Sequence, residues 1–154
     1  MLCAHGLFAK PEKCIFHMPT VEYLGFHVSP EGVTMDATKV NTILTWPSPQ
    51  SCRDVQSFLG FANFYRWFIC DFSHLAEPLT ALTKADAPFL WSPEAAIAFQ
   101  KLKACFTTAP ILCHADPTQP FILETDASGV ALGAILSQRY TTDSNHLHPL
   151  AFYS

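Results

Sequence analysis

The chain has 154 residues, of which 49% are hydrophobic, 13% aromatic and only 14% charged, with a formal net charge of −4. That much apolar surface excludes an intrinsically disordered chain, and the length fits one ordinary domain or two small ones. The missing basic surplus excludes a module that grips nucleic acid mainly through bulk charge.

No apolar run approaches the roughly 18 residues that a membrane span needs. Residues 1–9, MLCAHGLFA, have neither the basic start nor the apolar stretch of a secretory leader. Six scattered cysteines without a CxxC pair read as reduced thiols. An intracellular protein without membrane association is therefore expected. Cys14-x-x-His17 lacks a second ligand pair for zinc, so it reads as a half-buried Cys and a surface His.

Along the chain, Val21 to Val28 has the β-branched and aromatic content of a strand. Ser29-Pro30-Glu31-Gly32 has turn composition, and Val33 to Met35 returns, so a β-hairpin is predicted. Asp36 is a helix N-cap, with Val40, Ile43 and Leu44 on one face up to about Thr45. Ser51 caps a longer helix in which Val55, Phe58, Leu59, Ala62 and Tyr65 keep helical spacing. Phe61, Phe64, Phe68 and Ile69 form a second apolar strip on it. A third helix is predicted over 73–83.

Ser92-Pro93-Glu94 starts a fourth helix, with Ala95, Phe99, Leu102 and Phe106 on one side and Pro110 as its stop. The period then switches to strands at 121–125, 131–138 and 149–153, joined by short gaps including a Ser128-Gly129 turn. An antiparallel meander is expected. His146 and His148 are predicted to be exposed loop residues. The last segment, 111–154, is the most acidic, with one basic and four acidic residues.

Five blocks then carry a resemblance. GLFAKPEKCIFH (6–17), VEYLGFHVSPEGV (21–33), VQSFLGFANFYRWFICDFSHLAEPLTALTK (55–84), FLWSPEAAIAFQKLK (89–103) and FILETDASGVALGAILSQ (121–138) occur in order. Together they resemble the Pol polyprotein of gypsy-type LTR retrotransposons. The match is to the segment from reverse transcriptase thumb and connection into the start of RNase H. It implies an α+β fold: a β-hairpin plus helical thumb/connection, then a truncated RNase H-like antiparallel three-strand meander. The implied parts are a palm end with primer-grip-like hairpin (1–35), a helical thumb/connection (36–110) and an incomplete RNase H-like part (111–154).

The resemblance also implies roles. Leu24, Gly25 and Phe26 would lie against the primer backbone, where a glycine permits close approach. Gln56, Asn63, Arg66 and Lys84 would meet the duplex, an RNA–DNA hybrid or DNA. Trp67, Cys70 and Asp71 stand where the family usually has more polar or basic residues. Phe58, Phe61, Phe64, Phe68 and Phe72 are expected in the core. Asp126 matches the first RNase H carboxylate and metal ligand of a site that uses Mg²⁺ when complete.

The polymerase aspartates and the other RNase H carboxylates are not matched in these residues. The chain alone is therefore expected to be inactive, with no tightly bound metal. The alternative is a non-catalytic remnant or domesticated protein that binds nucleic acid or protein. Three strands without covering helices should expose apolar surface around Ile122, Leu132, Ala134 and Leu136, which a protein partner could cover.

Overall fold

A computed structural model describes residues 5, 6, 8–85, 88–127, 132–140 and 143–154, with the side chains of 140 and 143–145 excepted. The predicted Ser128-Gly129 turn, Ala131 and most of the opening MLCAHGL lie outside these residues. The elements run β1 (Val21–Tyr23), β2 (Phe26–Ser29), β3 (Gly32–Met35), α1 (Ala37–Leu44), α2 (Cys52–Phe64), α3 (Phe72–Ala81), α4 (Pro93–Thr107), β4 (Phe121–Ala127), β5 (Leu132–Tyr140) and β6 (Asp143–Tyr153). The predicted mixture of helices and antiparallel sheets is borne out. β1-β2-β3 and β4-β5-β6 are two separate meanders. No described helix is long and apolar enough to cross a membrane.

The helix starts follow their capping residues. The Asp36 carboxylate accepts from the Thr38 N–H at 2.7 Å and also from the Lys39 N–H and the Thr38 hydroxyl. These bonds, the Thr38 side chain foremost, hold its pKa below the usual carboxylate value. Ser51 and Ser92 accept from the N–H of Asp54 and Ala95 at 3.3 and 3.2 Å. The helices enclose one core, with Ile43, Val55, Phe58, Leu79, Phe99 and Leu102 fully or almost fully buried. Phe58 and Phe99 meet at its centre, ring centroids 4.6 Å apart.

Three details differ from expectation. The predicted strand 21–28 is broken: Tyr23 pairs with Phe26, so Leu24-Gly25 is a two-residue hairpin turn. Both residues have positive φ, +51° and +83°, as the tight primed turns of hairpins require. The third strand of the second sheet begins at Asp143, not Pro149. Pro149 fits because β6 is an edge strand with a register shift opposite it. His146 and His148 are therefore strand residues, the first exposed and the second half-buried.

One short segment joins the two sheets. Val33 and Leu112 exchange backbone hydrogen bonds of 2.8 and 3.0 Å, and the next N–H, Cys113, donates to Pro149 O at 2.9 Å. Gly32 makes this approach possible: a Cβ there would stand 2.3 Å from Leu112 O. The buried Gln138 side chain fixes the following turn by accepting from Asp116 N–H and donating to the carbonyls of Asp116 and Gln119. Burying an amide is tolerable because its donors and acceptor are engaged.

Gly32→Ala should lower stability by more than about 1 kcal/mol, since the backbone there has φ +142° and no room for a methyl group. Urea unfolding checks this. An unchanged midpoint would mean that the 33–112 bridge is dispensable.

Candidate nucleic-acid interface

The 24–25 turn is held from inside the protein. Gly25 O accepts two hydrogen bonds, from the Asp36 N–H at 3.1 Å and the Tyr65 hydroxyl at 3.4 Å. A Cβ on Gly25 would lie 2.6 Å from that hydroxyl oxygen. The protein's own packing and a positive φ thus demand this glycine, whatever approaches from outside. Burial, and secondarily the charge of Asp36, raises the Tyr65 phenol pKa and keeps it a neutral donor.

Phe26 seats the turn on α2. Its ring stacks on Phe64 and Phe68 at 5.3 and 5.8 Å and meets Tyr65 edge-on at 5.5 Å. Leu24, by contrast, is 67% exposed with φ +51°. A non-glycine residue in the left-handed region that also presents an apolar side chain to water marks a functional candidate.

Beside this turn runs a groove of about 610 Å³. Leu24, Phe26, Asn63 and Arg66 line it, together with Phe64 and Trp67. Four sequence-predicted residues thus meet in one place although some 40 residues separate the two pairs. Phe58, Phe68 and Phe72 are core as expected and Phe61 is half-buried, but Phe64 is 51% exposed and belongs to the groove wall. Trp67 is 63% exposed.

A second groove of about 480 Å³ follows α3 on the other side of Asn63 and Arg66. It also contains Lys84, Glu77 and Thr80. Arg66 donates to Asn63 Oδ1 at 3.4 Å and lies near the Phe72 and Tyr153 rings.

Gln56 is exposed on α2 but lines neither groove. It shares a helical stripe with Gly60 and with Asn63 and Phe64, all exposed. Gly60 was missed in the sequence. A mid-helix glycine costs about 1 kcal/mol relative to alanine, and a Cβ here would meet nothing within 4 Å. Internal packing does not account for it. The signal was present as a lone glycine inside an apolar helical period.

Asp126 lies apart from both grooves. It is exposed on β4, paired with Gly133, and borders a pocket of about 230 Å³ with Glu124, Asp71 and Tyr153. Among the described residues, no group of three or more His, Cys, Asp or Glu is placed to hold a metal ion. The donor set for a two-metal clamp is therefore incomplete among the described residues. Cys14 is half-buried and His17 exposed, as read from the sequence.

Residues 91–154 match the RNase H-like domain found in reverse transcriptase. Two polyproteins of the fission yeast Schizosaccharomyces pombe, those of transposons Tf2-3 and Tf2-4, are each 36% identical to 97% of this chain. The chain spans 11% of the length of each. A foamy viral protease–reverse transcriptase solved with double-stranded DNA covers 87% of the chain at TM-score 0.70 and 24% identity, and 23% of that protein is matched. A second structure of this kind, with RNA/DNA hybrid, covers 92% at TM-score 0.73 and 22% identity, matching 19% of that protein. These likenesses define the fold as that of a reverse transcriptase segment leading into an RNase H-like sheet. Residues 91–154 thus match the RNase H-like domain of reverse transcriptase, and nearly the whole chain is similar to a segment of gypsy-type LTR-retrotransposon polyproteins; the reverse transcriptase/RNase H family generally uses divalent metals.

Tyr65→Phe removes the donor to Gly25 O and should cost about 1 kcal/mol in urea unfolding. The folded phenol pKa is raised, so the folded chain holds that proton more tightly than the unfolded chain. The stabilisation is complete below about pH 10 and is lost as pH rises through the folded value. The variant should therefore lose less stability than the parent between neutral and strongly alkaline pH; equal losses would contradict the assignment.

Proposed function

We propose that this chain is a duplex-holding segment of a retrotransposon reverse transcriptase/RNase H. Leu24, Gly25 and Phe26 would border the primer backbone, while Gln56, Asn63 and Arg66 meet the neighbouring phosphates and sugars. The supporting observation is the convergence of Leu24, Phe26, Asn63 and Arg66 on one groove. Open space over Gly60 gives a duplex close access to the α2 backbone, and Lys84 adds a cation further along the second groove. Similar folds bind double-stranded DNA or RNA/DNA hybrid, which supports the same ligand class here. RNA-directed DNA synthesis and hybrid cleavage would belong to the whole polyprotein.

On this reading, Asp126 is the first RNase H-type carboxylate, and Mg²⁺ is the metal of the complete site. The 154 residues alone would be catalytically inactive, because one carboxylate binds a hard cation weakly. The parts would be the palm end with its hairpin (1–35), the thumb/connection (36–110) and the RNase H-like start (111–154), working inside the cell. Strand alternation puts Phe121, Leu123, Leu132, Ala134 and Leu136 on one sheet face. Leu123 and Leu132 are 64% and 54% exposed, whereas Ile122, Ala134 and Leu136 are half-buried. A protein segment covering this face is part of the proposal.

The test is fluorescence anisotropy of an RNA–DNA hybrid at several salt concentrations. Arg66→Ala and Lys84→Ala should each weaken binding and reduce the salt slope by about 1. Gly60→Ala should stabilise the fold by up to about 1 kcal/mol yet bind more weakly. Three variants that bind like the parent would sink the reading. With Mg²⁺ the hybrid should remain uncut; cleavage that disappears in Asp126→Asn would contradict the inactivity.

A further inference from the structure

We propose that Tyr153 is a positioning residue for Arg66, one that registers the duplex-binding groove against the strand carrying Asp126. This rests on the duplex reading of the groove.

The first observation is how Arg66 is held. Its guanidinium carbon is 5.9 Å from the Phe72 ring centre and 5.6 Å from the Tyr153 ring centre, both within cation–π range. The Asn63 amide oxygen accepts from one of its nitrogens at 3.4 Å. Among the described residues, no carboxylate is within ion-pair distance of Arg66. Two aromatic rings and a neutral amide orient the group without cancelling its charge. A guanidinium carries five donors in a planar fork, so a phosphate can still be received on its edge.

The second observation is where Tyr153 sits. Tyr153 pairs with Ala134 on β5, which pairs with Thr125 on β4, the neighbour of Asp126. The residues on either side of Tyr153 dock the sheet on the helices. Phe152 packs against the helical core. The Ser154 hydroxyl accepts from the Ser73 N–H at 2.9 Å at the start of α3, where Asp71 provides no side-chain cap. Tyr153 is itself 63% exposed, so its ring supplies little to the core. The ring instead lies beside the Arg66 guanidinium. The separation between the phosphate-binding guanidinium and the first RNase H carboxylate is thereby set across three hydrogen-bonded strands.

The experiment is a double-mutant cycle on hybrid binding by the full chain, with Arg66→Ala, Tyr153→Ala and the pair, plus Tyr153→Phe. Tyr153→Ala should weaken binding about two- to fivefold, and Tyr153→Phe should restore it because the ring face is retained. In the Arg66→Ala background, Tyr153→Ala should add no further loss. A purely structural role for Tyr153 would weaken binding equally in both backgrounds. That result, or parental binding by Tyr153→Ala while Arg66→Ala is weak, overturns the inference and leaves the duplex reading standing. Parental binding by Arg66→Ala overturns the inference by removing its premise; the duplex reading itself falls only if Lys84→Ala and Gly60→Ala also bind like the parent.

Discussion

The packing of Phe26 among Phe64, Tyr65 and Phe68 is the contact on which the rest of the interface depends. It fastens a short three-strand meander, whose first strand is exposed along its length, to the end of α2. The Tyr65 hydroxyl and the Asp36 N–H then fix Gly25 O. Only with both contacts in place does Leu24 stand beside Asn63 and Arg66. Aromatic pairs of this kind contribute about 0.5–1.5 kcal/mol each beyond their buried area, enough to define one orientation of the turn.

Much of this was legible in the sequence, and the reasons are local. Asp36, Ser51 and Ser92 announce helix starts because a side-chain oxygen satisfies N–H groups within three residues of it. The apolar spacing of Val55, Phe58 and Ala62, and of Phe99, Leu102 and Phe106, marks helix faces that are buried in the fold. What was not legible depends on distant partners. The 24–25 turn reads as strand because Leu is a poor turn residue, and its conformation is imposed by Tyr65, 40 positions away. The β6 start was hidden because Pro149 is acceptable only where the strand lies at a sheet edge. Leu112, which links the two sheets, carries no local signal at all. Of the candidate site, the residue types were readable, but their convergence was not.

Charge in this protein works by placement, not by quantity. The chain is net acidic, and its 111–154 segment is the most acidic part. Yet Arg66 and Lys84 border adjoining grooves, and aromatic rings hold Arg66 without an opposing carboxylate among the described residues. On the proposed duplex reading, few oriented cations would give a shallow salt dependence, and shape complementarity along α2 would carry much of the affinity. The glycine at position 60 and the exposed faces of Phe64 and Trp67 are the features that would supply it.

The central claim is that a nucleic-acid duplex lies along the groove beside the 24–25 turn. The most direct measurement is site-specific photocrosslinking of an RNA–DNA hybrid from a photoreactive residue at position 24. The control is the same residue at position 97 on α4, where Ile97 is also exposed but lines neither groove. The account predicts a crosslink from position 24 that is lost on unlabelled-hybrid competition, and none from position 97. Equal crosslinking from both positions, or crosslinking from 97 alone, would contradict it.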